Sequence, residues 1–164
     1  MPFEIPQNLH PDCGPIAWML GTWRGNGHGD YPTIEKFEFG QEVIFTHDGR
    51  PFFHYMARAW IIDGQGEFVR DAAIETGFIR CRPEGRLEVL LAHNTGFSEV
   101  WYGQAGEGRM EIVTDAIVRT ESAKEVTAGK RLYGNVEGDL LYAYDMAAVG
   151  EPLQPHLWAR LQRQ

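Results

Sequence analysis

Apolar and polar residues alternate with a period of two through most of this chain, and that alternation constrains its fold more than any other feature. Phe37, Phe39, Val43 and Phe45 fall on one side of a run whose other side carries Glu38, Glu42 and Thr46. Successive side chains of an extended strand point to opposite faces, so the pattern predicts a strand buried on one face and wet on the other. Turn signals then punctuate the chain at Asp48-Gly49-Arg50-Pro51, Asp63-Gly64-Gln65-Gly66, Pro83-Glu84-Gly85, Asn94-Thr95-Gly96, Gly106-Glu107-Gly108 and Glu137-Gly138-Asp139. They separate runs such as Phe52 to Ile62, Leu87 to Ala92, Met110 to Val118 and Leu140 to Met146. About ten short strands at this spacing read as an all-β sandwich or barrel.

Closure into an up-and-down antiparallel barrel is the economical arrangement, because open edges invite aggregation and little helix is available to cover them. The one helical signal runs from Asp12 to Leu20, with Ile16, Met19 and Leu20 at helical spacing, and is expected to lid one end. An irregular stretch from Ala147 to Pro155 precedes a last strand from about His156 to Gln162. A barrel of roughly eight or more strands has room for a ligand. At 164 residues, the chain is expected to form one domain over 1–164.

The net charge of −8 opposes attraction to phosphate backbones or anionic lipid, so nucleic acid and membrane surfaces are not expected partners. No apolar run is long enough to cross a bilayer as a helix, and the start Met1-Pro2-Phe3-Glu4-Ile5-Pro6 lacks the features of a signal peptide, which makes the cytoplasm the default location. Cys13 and Cys81 read as ordinary thiols. Gly25-Asn26-Gly27-His28-Gly29 has neither a Gly-Lys-Ser/Thr sequence nor a helix after it, so it reads as a bulged or sharply bent first strand rather than a phosphate cradle. Ser98 and Ser122 lie outside any Gly-x-Ser-x-Gly elbow. His10, His28, His47, His54, His93 and His156 form no multi-ligand metal spacing. A single histidine can nevertheless hold iron when a porphyrin supplies the other four nitrogens.

Gly21-Thr22-Trp23-Arg24-Gly25-Asn26-Gly27 matches a Gly-x-Trp-x-Gly-x-Gly signature, and further matches follow in order. They are Tyr31-Pro32-Thr33-Ile34, Phe37, Glu42, His47-Asp48-Gly49-Arg50-Pro51, Glu75-Thr76-Gly77-Phe78-Ile79-Arg80, Thr95-Gly96, Ala123-Lys124-Glu125-Val126-Thr127 and Pro152-Leu153-Gln154-Pro155-His156-Leu157. On these residues the chain from Leu20 onward resembles the nitrobindins. The resemblance implies a ten-stranded antiparallel barrel, similar to fatty-acid-binding proteins, that holds one haem b near an open end. It places the proximal iron ligand at His156, Thr33 beside the haem, Phe37 and Met146 in the pocket lining, Lys130 at the rim, and His93 in an otherwise apolar distal wall. Many relatives carry a histidine two residues before Glu-Thr-Gly, where this chain has Ala73. The implied activity is binding of nitric oxide and isomerisation of peroxynitrite to nitrate at ferric iron, with no catalytic side chain beyond the haem. A second copy of the chain is left open as a partner.

Strand parity sits uneasily with His156. It falls on the face of Trp158, Arg160 and Gln162, opposite the apolar set Leu157, Ala159 and Leu161. Either Pro155 bends the start of the strand, or His156 stands at a pocket mouth where polar neighbours are tolerable; the mouth is the preferred reading. Two other functions remain open: a lipid carrier that offers Arg58 or Arg80 to a carboxylate, and a nitric oxide sensor with little turnover.

Overall fold

The computed structural model describes residues 2–164. A 3-10 helix over Pro11–Met19 precedes ten strands: β1 (Gly21–Tyr31), β2 (Ile34–Thr46), β3 (Phe52–Ile62), β4 (Phe68–Cys81), β5 (Arg86–His93), β6 (Phe97–Gly106), β7 (Arg109–Arg119), β8 (Val126–Val136), β9 (Asp139–Ala148) and β10 (Gln154–Arg163). Each strand pairs antiparallel with the next, and β10 returns to β1 from Trp23↔Arg163 to Gly29↔Leu157, closing the barrel. All six turn signals named above mark strand junctions, with Gly106 ending β6 and Asp139 opening β9. The opening helix is 3-10 rather than α, as suits a segment with Pro11, Gly14 and Pro15 inside nine residues.

The two ends of the barrel differ. Cys13, Ile16 and Met19 of the 3-10 helix are fully buried and belong to one core cluster with Trp23, Phe45, Phe53, Ile112, Leu140 and Leu161, none of which lines the cavity at the other end. The lid is fastened at the barrel seam. Trp23 Nε1 donates to the Met19 carbonyl at 2.8 Å, and Arg163 donates to the carbonyls of Trp18 and Leu20 while stacking over the Trp23 ring.

At the other end aromatic and polar residues face inward and the wall loosens. The β7–β8 ladder pairs only from Arg109↔Gly134 to Val113↔Lys130, after which the strands part. The Thr114 hydroxyl bridges the parting by accepting from the Gly129 N–H at 2.8 Å and donating to the Gly129 carbonyl at 3.3 Å. A cavity of about 840 Å³ opens there, within the usual range for small-molecule sites.

Candidate haem pocket

Two departures from regular pairing lie side by side at the mouth. The β9–β10 ladder runs Pro155↔Asp145 and then Leu157↔Tyr144, so His156 is an extra, unpaired residue. The β1–β2 ladder shifts between Gly29 and Tyr31, leaving Asp30 without a partner. A bulge reverses the parity of the residue it inserts, so His156 and Leu157 both line the cavity, whereas Trp158 points outward. The bent strand start, rather than the preferred mouth position alone, therefore accounts for the facing of His156.

Asp30 and His156 would be the next pair of the β1–β10 ladder after Gly29↔Leu157. Instead the His156 ring takes the backbone's place, with Nδ1 3.1 Å from the Asp30 carbonyl oxygen. A carbonyl can only accept, so Nδ1 carries the hydrogen and Nε2 keeps its lone pair. Nε2 makes no hydrogen bond among the described residues. Burial lowers the pKa of this imidazole, partly countered by the Asp30 carbonyl, which favours the neutral ring that a metal requires. Edge-on contacts from Tyr31, Phe37 and Tyr144, with centroids 5.3, 6.5 and 5.8 Å away, hold its plane. Tyr31 is itself tied to β9, donating to the Met146 carbonyl at 3.0 Å and accepting from the Ala148 N–H at 2.9 Å.

Thr33, Phe37, His93, Met146 and His156 all line this one cavity. Lys130 does not. Gly129 and Arg131 take the inward positions of β8, and Lys130 stands outside with Nζ 3.2 Å from Glu111. The cations at the mouth are Lys36, Arg70 and Lys124. Ala73 lines the wall as a small apolar residue. Arg58 and Arg80 also face outward, paired with Glu42 and Glu88, so neither can receive a ligand inside the barrel.

The inward arginine is Arg131, which the strand pattern could have disclosed through its parity with Tyr133. It donates to both oxygens of Glu75, at 2.7 and 2.8 Å, and lies over the rings of Trp101 and Tyr144. The Tyr55 hydroxyl also donates to Glu75, at 2.6 Å. Burial alone would raise the Glu75 pKa, but the Arg131 charge and these hydrogen bonds hold it down at about 2. His93, across from Glu75 on β5, packs flat on Phe97 with its Nε2 2.5 Å from Glu99. One wall of the cavity is thus apolar with a single free imidazole nitrogen, and the opposite wall is a buried network of charged and polar groups.

Residues 12–163 match the family described as the THAP4-like, heme-binding beta-barrel domain. The chain belongs to that family. Its cofactor is haem, which the donor set fits: one oriented neutral imidazole, apolar walls and cations at the mouth. Over 164 residues, all of both chains, this family member is 76% identical to a protein of Nocardioides sp. named peroxynitrite isomerase. It is 46% identical to the ferric nitrobindin-like protein of Cutibacterium acnes, over 99% of each chain. The crystal structure of Rv2717c from M. tuberculosis superposes with a TM-score of 0.83 at 37% identity, covering 95% of this chain and 99% of that one.

Proposed function

We propose that this family member is a ferric haem b protein that binds nitric oxide and isomerises peroxynitrite to nitrate, with one haem per chain held by His156. The observation that carries the reading is the His156 ring, fixed through Nδ1 on the Asp30 carbonyl with Nε2 left unpaired. The full-length relative named peroxynitrite isomerase supports the choice of substrate. When bound, ferric haem supplies a redox-active Lewis acid at which a peroxide O–O bond can be cleaved and its fragments rejoined.

The chain's own residues have four tasks. His156 anchors the group, and the Asp30 carbonyl keeps the anchoring nitrogen unprotonated. Phe37, Leu157 and Met146 line the cavity beside His156 and would exclude water from that side. Thr33 lines the mouth, where it would lie beside the haem, and Lys36, Arg70 and Lys124 at the same rim would meet its propionates. Peroxynitrite and nitrate have the same composition and charge, so the net reaction asks no side chain to supply or remove a proton. The enzyme works in the cytoplasm, where peroxynitrite and nitric oxide reach it by diffusion.

A lipid carrier is disfavoured by Arg131, whose charge is already matched by Glu75 inside the barrel. Titrating apoprotein with haemin tests the proposal. The expected result is 1:1 uptake, at least tenfold weaker and spectrally altered in His156→Ala. Stopped-flow peroxynitrite decay should show faster loss with nitrate as the product. An unchanged spectrum and affinity in His156→Ala would refute the anchor, and a bound haem without faster decay would point to a sensor.

A further inference from the structure

In a closed ring of ten strands, β5 lies five steps from β10 in either direction: β10-β9-β8-β7-β6-β5 one way and β10-β1-β2-β3-β4-β5 the other. His93 and His156 therefore stand on opposite walls of the same cavity. A group anchored on His156 would have its free side toward the β4–β6 wall, where His93 sits. Two roles are open to such a histidine: a second iron ligand, or a hydrogen-bond donor to whatever the iron binds.

The ring's partners decide between them. Nε2 is 2.5 Å from Glu99 Oε1, a distance that requires one proton between the two atoms. Nδ1 is 3.4 Å from Glu75 Oε2, beyond a good hydrogen bond but close enough to repel a lone pair. If the shared proton sits on Glu99, Nε2 is the acceptor and Nδ1 carries the ring hydrogen. If it sits on Nε2, an Nδ1 lone pair would face a carboxylate, and only the doubly protonated ring avoids that. Both repulsion-free states put hydrogen on Nδ1, and a nitrogen so occupied has no lone pair for iron.

Glu75, meanwhile, is already served by Arg131 and Tyr55, so it holds Nδ1 only loosely. Phe97, stacked at 3.9 Å, fixes the ring plane. Nearby, Arg131 Nε, the Tyr144 hydroxyl and Glu99 Oε2 are buried with no hydrogen-bond partner among the described residues, the signature of a wall that takes a polar guest or water. We infer that His93 is the positioning residue for the anion in this pocket: its Nδ1–H donates to a small oxyanion or halide bound opposite His156, and it does not ligate the iron.

The inference rests on haem being seated on His156, and its test reads ligand binding rather than turnover. Fluoride is the probe, because its binding to ferric haem depends strongly on a hydrogen-bond donor beside it. His93→Leu holoprotein should bind fluoride roughly 10- to 100-fold more weakly than wild type, the loss expected for a hydrogen bond to a charged acceptor. His93→Gln, which keeps an N–H, should stay within a few-fold of wild type, and nitric oxide affinity should barely move. A readout on the unmutated chain comes from 15N spectra of labelled imidazole, in which His93 Nδ1 should read as hydrogen-bearing at neutral pH. Equal fluoride affinity in wild type and His93→Leu, or a lone pair on Nδ1, would overturn the inference. So would a low-spin ferric spectrum of two imidazole ligands in wild type that is lost in His93→Leu. Failure of wild type to take up haem would instead overturn the haem reading, and this inference with it.

Discussion

Glu75 has a guanidinium, a phenol and an imidazole gathered around two oxygens, and its ionisation is bound up with folding. Its carboxyl has a pKa of about 2 in the folded chain against 4.5 for the unperturbed group. A depressed folded value means that the stabilisation is complete above about pH 4.5 and is lost as pH falls through about 2. That shift is worth on the order of 3 kcal/mol. Glu75→Gln should therefore flatten the acid limb of a stability-versus-pH curve. It should also cost about 3–5 kcal/mol in urea unfolding at pH 7, because Arg131 is left buried and uncompensated. Asp30 makes the opposite case: it acts on His156 first through its backbone oxygen and less through its charge, so Asp30→Ala should keep haem affinity within a few-fold of wild type in a haemin titration.

Along β1 the glycines serve two different neighbours. A Cβ on Gly25 would overlap the Arg160 carbonyl and one on Gly27 the Trp158 carbonyl, both backbone of β10 that cannot move aside. Gly25→Ala should thus destabilise the barrel by about 1–3 kcal/mol in denaturant unfolding. A Cβ on Gly29 would instead overlap the tip of the Phe37 ring, which can swing. Gly29→Ala is expected to leave the melting temperature nearly unchanged and to weaken haem binding, since Phe37 packs edge-on to His156. At this scale much was legible in the sequence: alternation and turns mark nearly every strand, and Phe37 and Met146 show their inward parity. The facing of His156 was not legible, because a one-residue bulge flips parity without leaving a mark in the hydrophobic pattern. Lys130 was a different matter: parity with Tyr133 already points Arg131 inward and the lysine one position before it outward. The Glu75–Arg131 pair was invisible for another reason, since its members are 56 residues apart and only barrel closure brings them together.

The whole molecule carries a net charge of −8, yet Lys36, Arg70 and Lys124 share one rim. This asymmetry favours a guest that is apolar at one edge and doubly anionic at the other. Reversing two of these charges, as Arg70→Glu with Lys124→Glu, should speed haem loss roughly 3- to 10-fold, measured as transfer to an acceptor apoprotein and shrinking with added salt. Lys130→Glu, on the outer wall, should leave haem loss unchanged. The β1–β10 seam has a consequence in time as well as in space. Asp30 belongs to the first strand and His156 to the tenth, and the hydrogen bond that readies the iron-binding nitrogen exists only when the two are side by side. During synthesis on the ribosome nine strands emerge before the ligand does. A partly made chain therefore has cavity wall but no iron anchor, and only a barrel that has shut can withdraw haem from the cell's supply.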